Sequence, residues 1–131
     1  GAEIVVNFEK DLKIHFPRHY LHSILVNLFT NAIKYKSKDR KLVITLKTRE
    51  DKDFTQLFFS DNGIGINLDK YGSKIFGLYQ RFHTTIEGKG LGLYIIKSQI
   101  EAMDGKIEVD SLPDVGTTFR IYFKKHKSTL T

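Results

Sequence analysis

NLFTNAIK, residues 27–34, lies inside the run HSILVNLFTNAIKYK (22–36) and sets the reading of the rest of the chain. Leu21, Leu25, Leu28 and Ala32 recur at spacings of four, three and four, which predicts a helix with one apolar stripe. The same helix carries Asn27 and Asn31 four residues apart, and Lys34 seven residues after Asn27. Four residues is a little over one helical turn, so both amides leave the helix on one face. Mid-helix asparagines are unfavourable by propensity, and a stripe of two amides and an ammonium suits a metal–polyphosphate ligand better than a packed core. A neutral amide oxygen is a reasonable hard ligand for Mg2+. Amides that merely face solvent or cap a neighbour would give the same pattern, so the helix alone leaves both readings open.

Working outward, IVVNFEKDLKIHF (4–16) holds two β-prone pieces around Glu9, Lys10 and Asp11, which predicts a hairpin at a sheet edge. Pro17 falls where a first helical position is expected, and the helix is predicted to end near the polar stretch 36–40. KLVITLKT (41–48) and FTQLFFSD (54–61) predict an antiparallel pair turned by the charged residues 49–53. Residues 62–90 are rich in glycine with a short apolar piece at 75–82, and an irregular stretch of that length suits a functional lid or a disordered insert.

LGLYIIKSQIEAM (91–103) places Leu93, Ile96, Ile100 and Met103 at helical spacing, with Gly105 where a left-handed helix stop is expected. KIEVD (106–110) and TTFRIYF (117–123) alternate about a turn at 111–116. Strands, helix, strands, loop, helix, strands make an α+β layer of helices on a mostly antiparallel sheet.

The chain has 131 residues, which predicts one compact domain that buries roughly two-thirds of its unfolded surface. With 40% hydrophobic and 27% charged residues it has the composition of a globular domain rather than a disordered one. No apolar run reaches the length of a membrane span, so no membrane contact is expected of this domain. It has no cysteine, which removes disulfides and thiolate chemistry and is compatible with a reducing cytoplasm. Lys and Arg total 21 against 15 Asp and Glu, a net +6 that favours an anionic partner.

Three further constellations bear on chemistry. DNGIGI (61–66) follows directly from a predicted strand, so Asp61 stands at a strand end. Its carboxylate can accept hydrogen bonds from an exocyclic amine, and Gly63 and Gly65 let the backbone approach a flat ring. Asp-Asn-Gly is also good turn chemistry, and alone it admits either reading. GKGLGL (88–93) opens into the second helix, where Gly88, Gly90 and Gly92 can present backbone amides to phosphate. It is neither a Walker A loop nor a Rossmann fingerprint. His15, His19 and His22 are spaced four and three apart, but Pro17 places His15 outside the helix and breaks the stripe. The basic charge lacks any RNA- or DNA-reading motif, so no nucleic acid is expected.

Taken in order, these motifs resemble the ATP-binding catalytic domain of sensor histidine kinases, in the GHKL superfamily. NLFTNAIKYK resembles the N box, DNGIGI the first glycine box, GKGLGLYIIK the second, and GTTF (116–119) the last; KIFGLYQRF (74–82) resembles an F box. The resemblance implies a Bergerat α/β sandwich, a mixed and mostly antiparallel sheet covered on one face by helices. It also implies a single catalytic domain over residues 1–131 with an ATP lid at about 67–89, and ATP and Mg2+ as cofactors.

Carried over by residue, Asp61 would bind the adenine amine with Thr117 supporting it through water, and Gly63 and Gly65 would border the ring. Asn31 would ligate Mg2+, Asn27 would stand beside it on the phosphate side, and Lys34 and Tyr35 would meet phosphate or sugar. Gly88, Lys89, Gly90, Leu91 and Gly92 would line the phosphates, and Arg81 would reach the γ-phosphate. In the gyrase-like and chaperone ATPases a glutamate stands where this chain has Asn27. An amide cannot act as a general base, which favours phosphoryl transfer over hydrolysis.

The sequence departs from the pattern in two places. Gly77 and Leu78 follow Phe76 where many relatives carry an acidic–proline pair. None of the five histidines is followed by an acidic residue, as a phosphoacceptor usually is. The chain is therefore expected to be a fragment, cytoplasmic and monomeric, with a histidine-bearing dimerisation domain upstream or on another chain and a response regulator downstream. It is expected not to autophosphorylate alone. A non-catalytic nucleotide-binding or interaction module of the same fold is the alternative.

Overall fold

The computed structural model describes residues 1–9, 12–72, 75–77 and 92–125. In chain order these form β1 (Glu3–Asn7), α1 (Arg18–Lys34), β2 (Val43–Glu50), β3 (Phe54–Asp61), α2 (Leu68–Tyr71), α3 (Gly92–Ala102), β4 (Lys106–Leu112) and β5 (Gly116–Lys124). The strands make one sheet in the order β1-β2-β3-β5-β4. β1 runs parallel to β2, and the remaining pairs are antiparallel, so the sheet is mixed and mostly antiparallel.

Alternation decides which face of the sheet is covered. Ile44, Leu46 and Thr48 of β2, Thr55, Leu57 and Phe59 of β3, and Phe119, Ile121 and Phe123 of β5 are all buried. Register stacks them side by side: Leu46 opposite Phe59, Phe59 opposite Phe119, Leu57 opposite Ile121. Against this face lie Ile24, Leu28 and Ala32 of α1 and Leu93, Ile96 and Ile100 of α3, in one continuous core. Phe29 meets Phe59 edge-on at 5.0 Å, joining helix to sheet. Burying each such large side chain contributes about 1.5–3 kcal/mol. The opposite face is dressed in aromatic and charged pairs, among them Lys106 Nζ 4.3 Å from the Tyr122 ring centre and Arg120 with Asp110 at 3.1 Å.

Three expectations are corrected. The predicted edge hairpin does not form, because β1 is a lone strand paired with β2 from Glu3 opposite Val43 to Asn7 opposite Lys47. The second β-prone piece closes one end of the core instead: Ile14 and Phe16 pack against it, with Phe16 edge-on to Phe123 at 4.9 Å. Pro17 is the N-cap and not the first helical residue, since its ψ of 127° is extended and its carbonyl accepts the Leu21 N–H.

α1 ends at Lys34 with Tyr35 as its C-cap, close to the expected stretch, and the Tyr35 carbonyl there accepts the Ile64 N–H at 2.9 Å. The left-handed residue after α3 is Asp104, with φ 61°, and not Gly105. Gly105 is required for space: a Cβ there would meet the Tyr122 carbonyl oxygen at 2.4 Å. The glycine-rich stretch also holds α2, a single turn capped by the Asn67 side chain accepting from the Lys70 N–H.

Candidate functional site

The burial alternation of β3 runs to Phe59, and the pleat then places Asp61, two residues on, on the same helix-covered face at the strand end. β3 is the central strand, and Asp61 is flanked in register by Ile44 on one side and Thr117 on the other. A carboxylate is thus delivered to the end of an apolar strand, half-buried. Burial pushes the Asp61 carboxyl up, and the backbone N–H groups of Gly63 and Thr117 beside it pull the other way. The Gly63 N–H donates to Asp61 Oδ1 at 2.9 Å. A desolvated carboxylate with two backbone donors has acceptor capacity left for an amine.

The loop after Asp61 is stitched to its surroundings by backbone. Besides donating to Tyr35, Ile64 accepts from the Asp114 N–H at 2.8 Å. Two glycines here combine a positive φ with a steric requirement. Gly65 has φ 72°, and a Cβ on it would meet the Leu112 carbonyl oxygen at 2.0 Å. Gly116 has φ 146°, and its Cβ would meet the Asp61 carbonyl oxygen at the same distance. The first and last glycine boxes therefore interlock, and Asp61 and Thr117 face each other because of it.

Three residues that the sequence did not single out hold this arrangement. Ser111 Oγ accepts the Ile66 N–H at 2.8 Å and donates to the Gly116 carbonyl at 2.9 Å. Its single proton is then committed, so in its 2.7 Å contact with Thr117 Oγ1 the threonine donates. Asn62 bonds the start of β2 twice, its Oδ1 accepting from the Val43 N–H and its Nδ2 donating to the Lys41 carbonyl. Arg40 donates to backbone carbonyls on both sides of the site, Asn62 and Gly63 on one, Asp114 on the other. Ser111 read as a turn residue and Arg40 as the end of the polar stretch 36–40, and neither has a spacing that marks it.

On the other side of α1, Asn27 Nδ2 donates to the Ser23 carbonyl at 2.9 Å. A carbonyl can only accept, so this bond fixes the amide orientation and turns Oδ1 away from Ser23. That oxygen faces α3, where a Cβ on Gly92 would lie 2.9 Å from it. Asn31 is half-buried one turn on, and Lys34 is exposed with its Nζ 5.9 Å from the Tyr35 ring centre. The structure brings together Asp61, Gly63, Gly65 and Thr117 with the Tyr35 backbone, and separately Asn27 with Gly92. Phe76 of the F-box-like stretch packs against the core, 6.5 Å from Phe119 and beneath Lys97 Nζ at 5.3 Å. Arg81, Gly88, Lys89, Gly90 and Leu91 lie outside the described residues, as does most of the expected lid.

Comparison with known proteins agrees with this architecture. Residues 18–127 match the family described as histidine kinase-, DNA gyrase B-, and HSP90-like ATPase, and the chain belongs to that family. Among curated proteins it is 34% identical over 126 residues to the sensor protein RprX of Bacteroides fragilis, covering 92% of this chain and 24% of that one. It is 33% identical over 124 residues to the histidine protein kinase SaeS of Staphylococcus aureus, covering 92% of this chain and 35% of that one. The chain thus spans about a quarter to a third of the curated relatives it matches.

Among solved structures, a mycobacterial sensor histidine kinase, MprB, superposes with a TM-score of 0.81 at 22% identity, over 94% of this chain and 83% of that one. Full-length ShkA in complex with AMPPNP superposes at 0.77 with 24% identity, over 97% of this chain and 27% of that one. The fold is the Bergerat sandwich of histidine-kinase catalytic domains. Among the described residues no helix is long and apolar enough to cross a membrane.

Proposed function

We propose that the chain binds Mg2+-ATP and donates the γ-phosphoryl group to a histidine on a dimerisation domain, as the kinase half of a two-component signalling protein. The observation that carries this reading is Asp61: a half-buried carboxylate at the end of the central strand, backed by the Gly63 and Thr117 N–H groups. That donor set fits adenine, whose exocyclic amine supplies the hydrogen bonds the carboxylate lacks and whose flat ring suits the backbone of Gly65. ShkA, which shares the fold, was solved with an ATP analogue.

Asn27 and Asn31 belong to the phosphate side. The fixed amide of Asn27 turns an oxygen and not a base toward the α3 terminus, so the residue at this position cannot remove a proton from water. Asn31, with phosphate oxygens and water, would hold Mg2+, which when bound neutralises charge on the phosphates. Lys34 adds a cation, and Gly92 begins the helix whose N-terminus favours an anion. Catalysis is then positioning and charge neutralisation, with the nucleophile supplied by the acceptor histidine. Lys34, Tyr35, Arg81, Gly88, Lys89, Gly90 and Leu91 complete the nucleotide site, and the isolated chain binds nucleotide without phosphorylating itself.

ATP titration with and without Mg2+, repeated on Asp61→Asn and Asn31→Ala, tests the reading. Asp61→Asn weakens all adenine nucleotides, and Asn31→Ala removes chiefly the Mg2+ dependence. Unchanged ATP binding in both variants would sink the assignment. A nucleotide-sensing module without transfer is the outcome if an added acceptor domain stays unphosphorylated.

A further inference from the structure

Arg40 sits on the connection between α1 and β2, exposed, and outside every motif that identifies the site. Its guanidinium is nonetheless engaged with main chain through Nε and Nη2. Nε donates to the Asn62 carbonyl at 2.7 Å, and Nη2 donates to the Gly63 carbonyl at 2.7 Å and the Asp114 carbonyl at 2.8 Å. The Val115 carbonyl lies 3.5 Å from the same nitrogen. Asn62 and Gly63 immediately follow Asp61, and Asp114 and Val115 immediately precede Gly116 and Thr117. One side chain thus grips the two backbone segments that carry the Asp61–Thr117 pair.

We infer that Arg40 is a positioning residue for adenine recognition, a guanidinium clamp that holds the loop after Asp61 against the turn before Thr117. The inference rests on the nucleotide reading above and names what keeps that subsite in its binding geometry. Several carbonyl dipoles converge on one point, an arrangement that repels itself without a cation at its focus. A guanidinium suits it because its donors are fixed in a planar fork and reach two segments at once, whereas an ammonium is a single point charge on a flexible stem. The two segments are otherwise tied by the Asp114 N–H to the Ile64 carbonyl at 2.8 Å.

Arg40 contributes nothing to the apolar core, so its loss falls on these loops and not on α1, which carries Asn27 and Asn31. Loops that must be ordered by the ligand bind it more weakly than loops already held. The effect is therefore confined to the adenine end of the nucleotide.

The experiment titrates this chain, Arg40→Ala and Arg40→Lys with adenosine, ADP and ATP, each with and without Mg2+. Arg40→Ala should weaken all three ligands by a common factor, about tenfold, while the ratio of ATP affinities with and without Mg2+ stays that of the unmodified chain. Arg40→Lys should recover only a minor part, and added ethylguanidinium should restore binding to Arg40→Ala. Wild-type affinity in Arg40→Ala would overturn the clamp, as would full recovery by lysine or a Mg2+ ratio that falls with the adenosine affinity. If the unmodified chain binds none of the three ligands, the nucleotide reading itself fails and the clamp falls with it. If the unmodified chain binds them and Arg40→Ala binds them equally, only the clamp fails.

Discussion

Gly92, the first residue of α3, packs so close to Asn27 of α1 that a Cβ on it would lie 2.9 Å from Asn27 Oδ1. The Asn27 amide is oriented by its Nδ2, which donates to the Ser23 carbonyl one turn earlier. The phosphate side of the proposed site is therefore set by how closely two helices approach, as the adenine side is set by how closely two loops do. In both places a glycine opposes a polar group on which the proposed chemistry depends.

Gly92→Ala separates packing from binding. An added methyl favours the helix by up to about 1 kcal/mol over glycine, and the crowded atom is a side chain, so folding stability should change by less than that. The Asn27 amide is displaced instead. ATP affinity should fall by about 1 kcal/mol, the worth of one neutral hydrogen bond, with adenosine affinity unchanged. Calorimetric titration of both ligands beside a thermal melt checks it, and an equal loss for adenosine would place the defect outside the phosphate side.

Asp61 carries a pH signature. Burial raises its carboxyl pKa above the unfolded value of 3.8, against the smaller pull of the Gly63 and Thr117 N–H groups. Between the unfolded and folded pKa the native state binds more protons than the unfolded chain, so stability falls as pH rises through that window and stays lower above it. Asp61→Asn removes the ionisation while leaving an acceptor for the Gly63 N–H. The variant without nucleotide should therefore melt no lower than the parent at pH 7, and its advantage should vanish well below pH 3.8. Its adenine affinity should fall about tenfold to a hundredfold, as for a lost hydrogen bond to a charged group. A variant that melts lower at neutral pH would show that the carboxylate is stabilising, contrary to this account.

Much of this was legible in the sequence, for reasons that differ by element. α1, α3, β3 and the β4–β5 hairpin have apolar spacing that matches their burial, and Asp61 was readable because it terminates a strand whose alternation is clean. The parallel pairing of β1 was not readable, since period-two patterns do not record which strand a neighbour will be or in which direction it runs. Asp104 took the left-handed position expected of Gly105 because the glycine was needed where the Tyr122 carbonyl leaves no room for a Cβ. Ser111 and Arg40 escaped notice because their roles consist of bonds to distant backbone. Such bonds leave no local period, only a polar residue in a polar stretch.

Ser111→Ala tests the second of these contact points. Removing the hydroxyl leaves the Ile66 N–H without its acceptor and the Gly116 carbonyl without this donor, beside a Thr117 hydroxyl that must turn elsewhere. A part-buried polar group stripped of its partner costs about 1–3 kcal/mol. The midpoint of denaturant unfolding should drop accordingly, and adenine affinity should drop with it because Thr117 loses its orientation. Ser111→Thr keeps the hydroxyl and should retain more of both. Equal losses in the two variants would mean that the space around Ser111 matters, not its hydrogen bonds.

Gly65 distinguishes two reasons for a glycine. Its φ of 72° strains most side chains, by roughly 1–2 kcal/mol, but asparagine tolerates that region well. The Cβ contact is a separate constraint: any side chain at 65 places a carbon 2.0 Å from the Leu112 carbonyl oxygen. That oxygen belongs to backbone at the end of β4, and the neighbouring Ser111 is tied to Ile66, so the strand cannot retreat without losing the bonds that frame the site. If φ alone mattered, Gly65→Asn would fold nearly as well as the parent while Gly65→Ala would not. With the contact dominant, both variants should lose about 3 kcal/mol or more, in the range of severe backbone substitutions. Both should also lose adenine binding, because the loop that carries Gly63 must shift to make room. Chemical denaturation of the two variants side by side decides it, and a well-folded Gly65→Asn would assign the glycine to conformation and not to space.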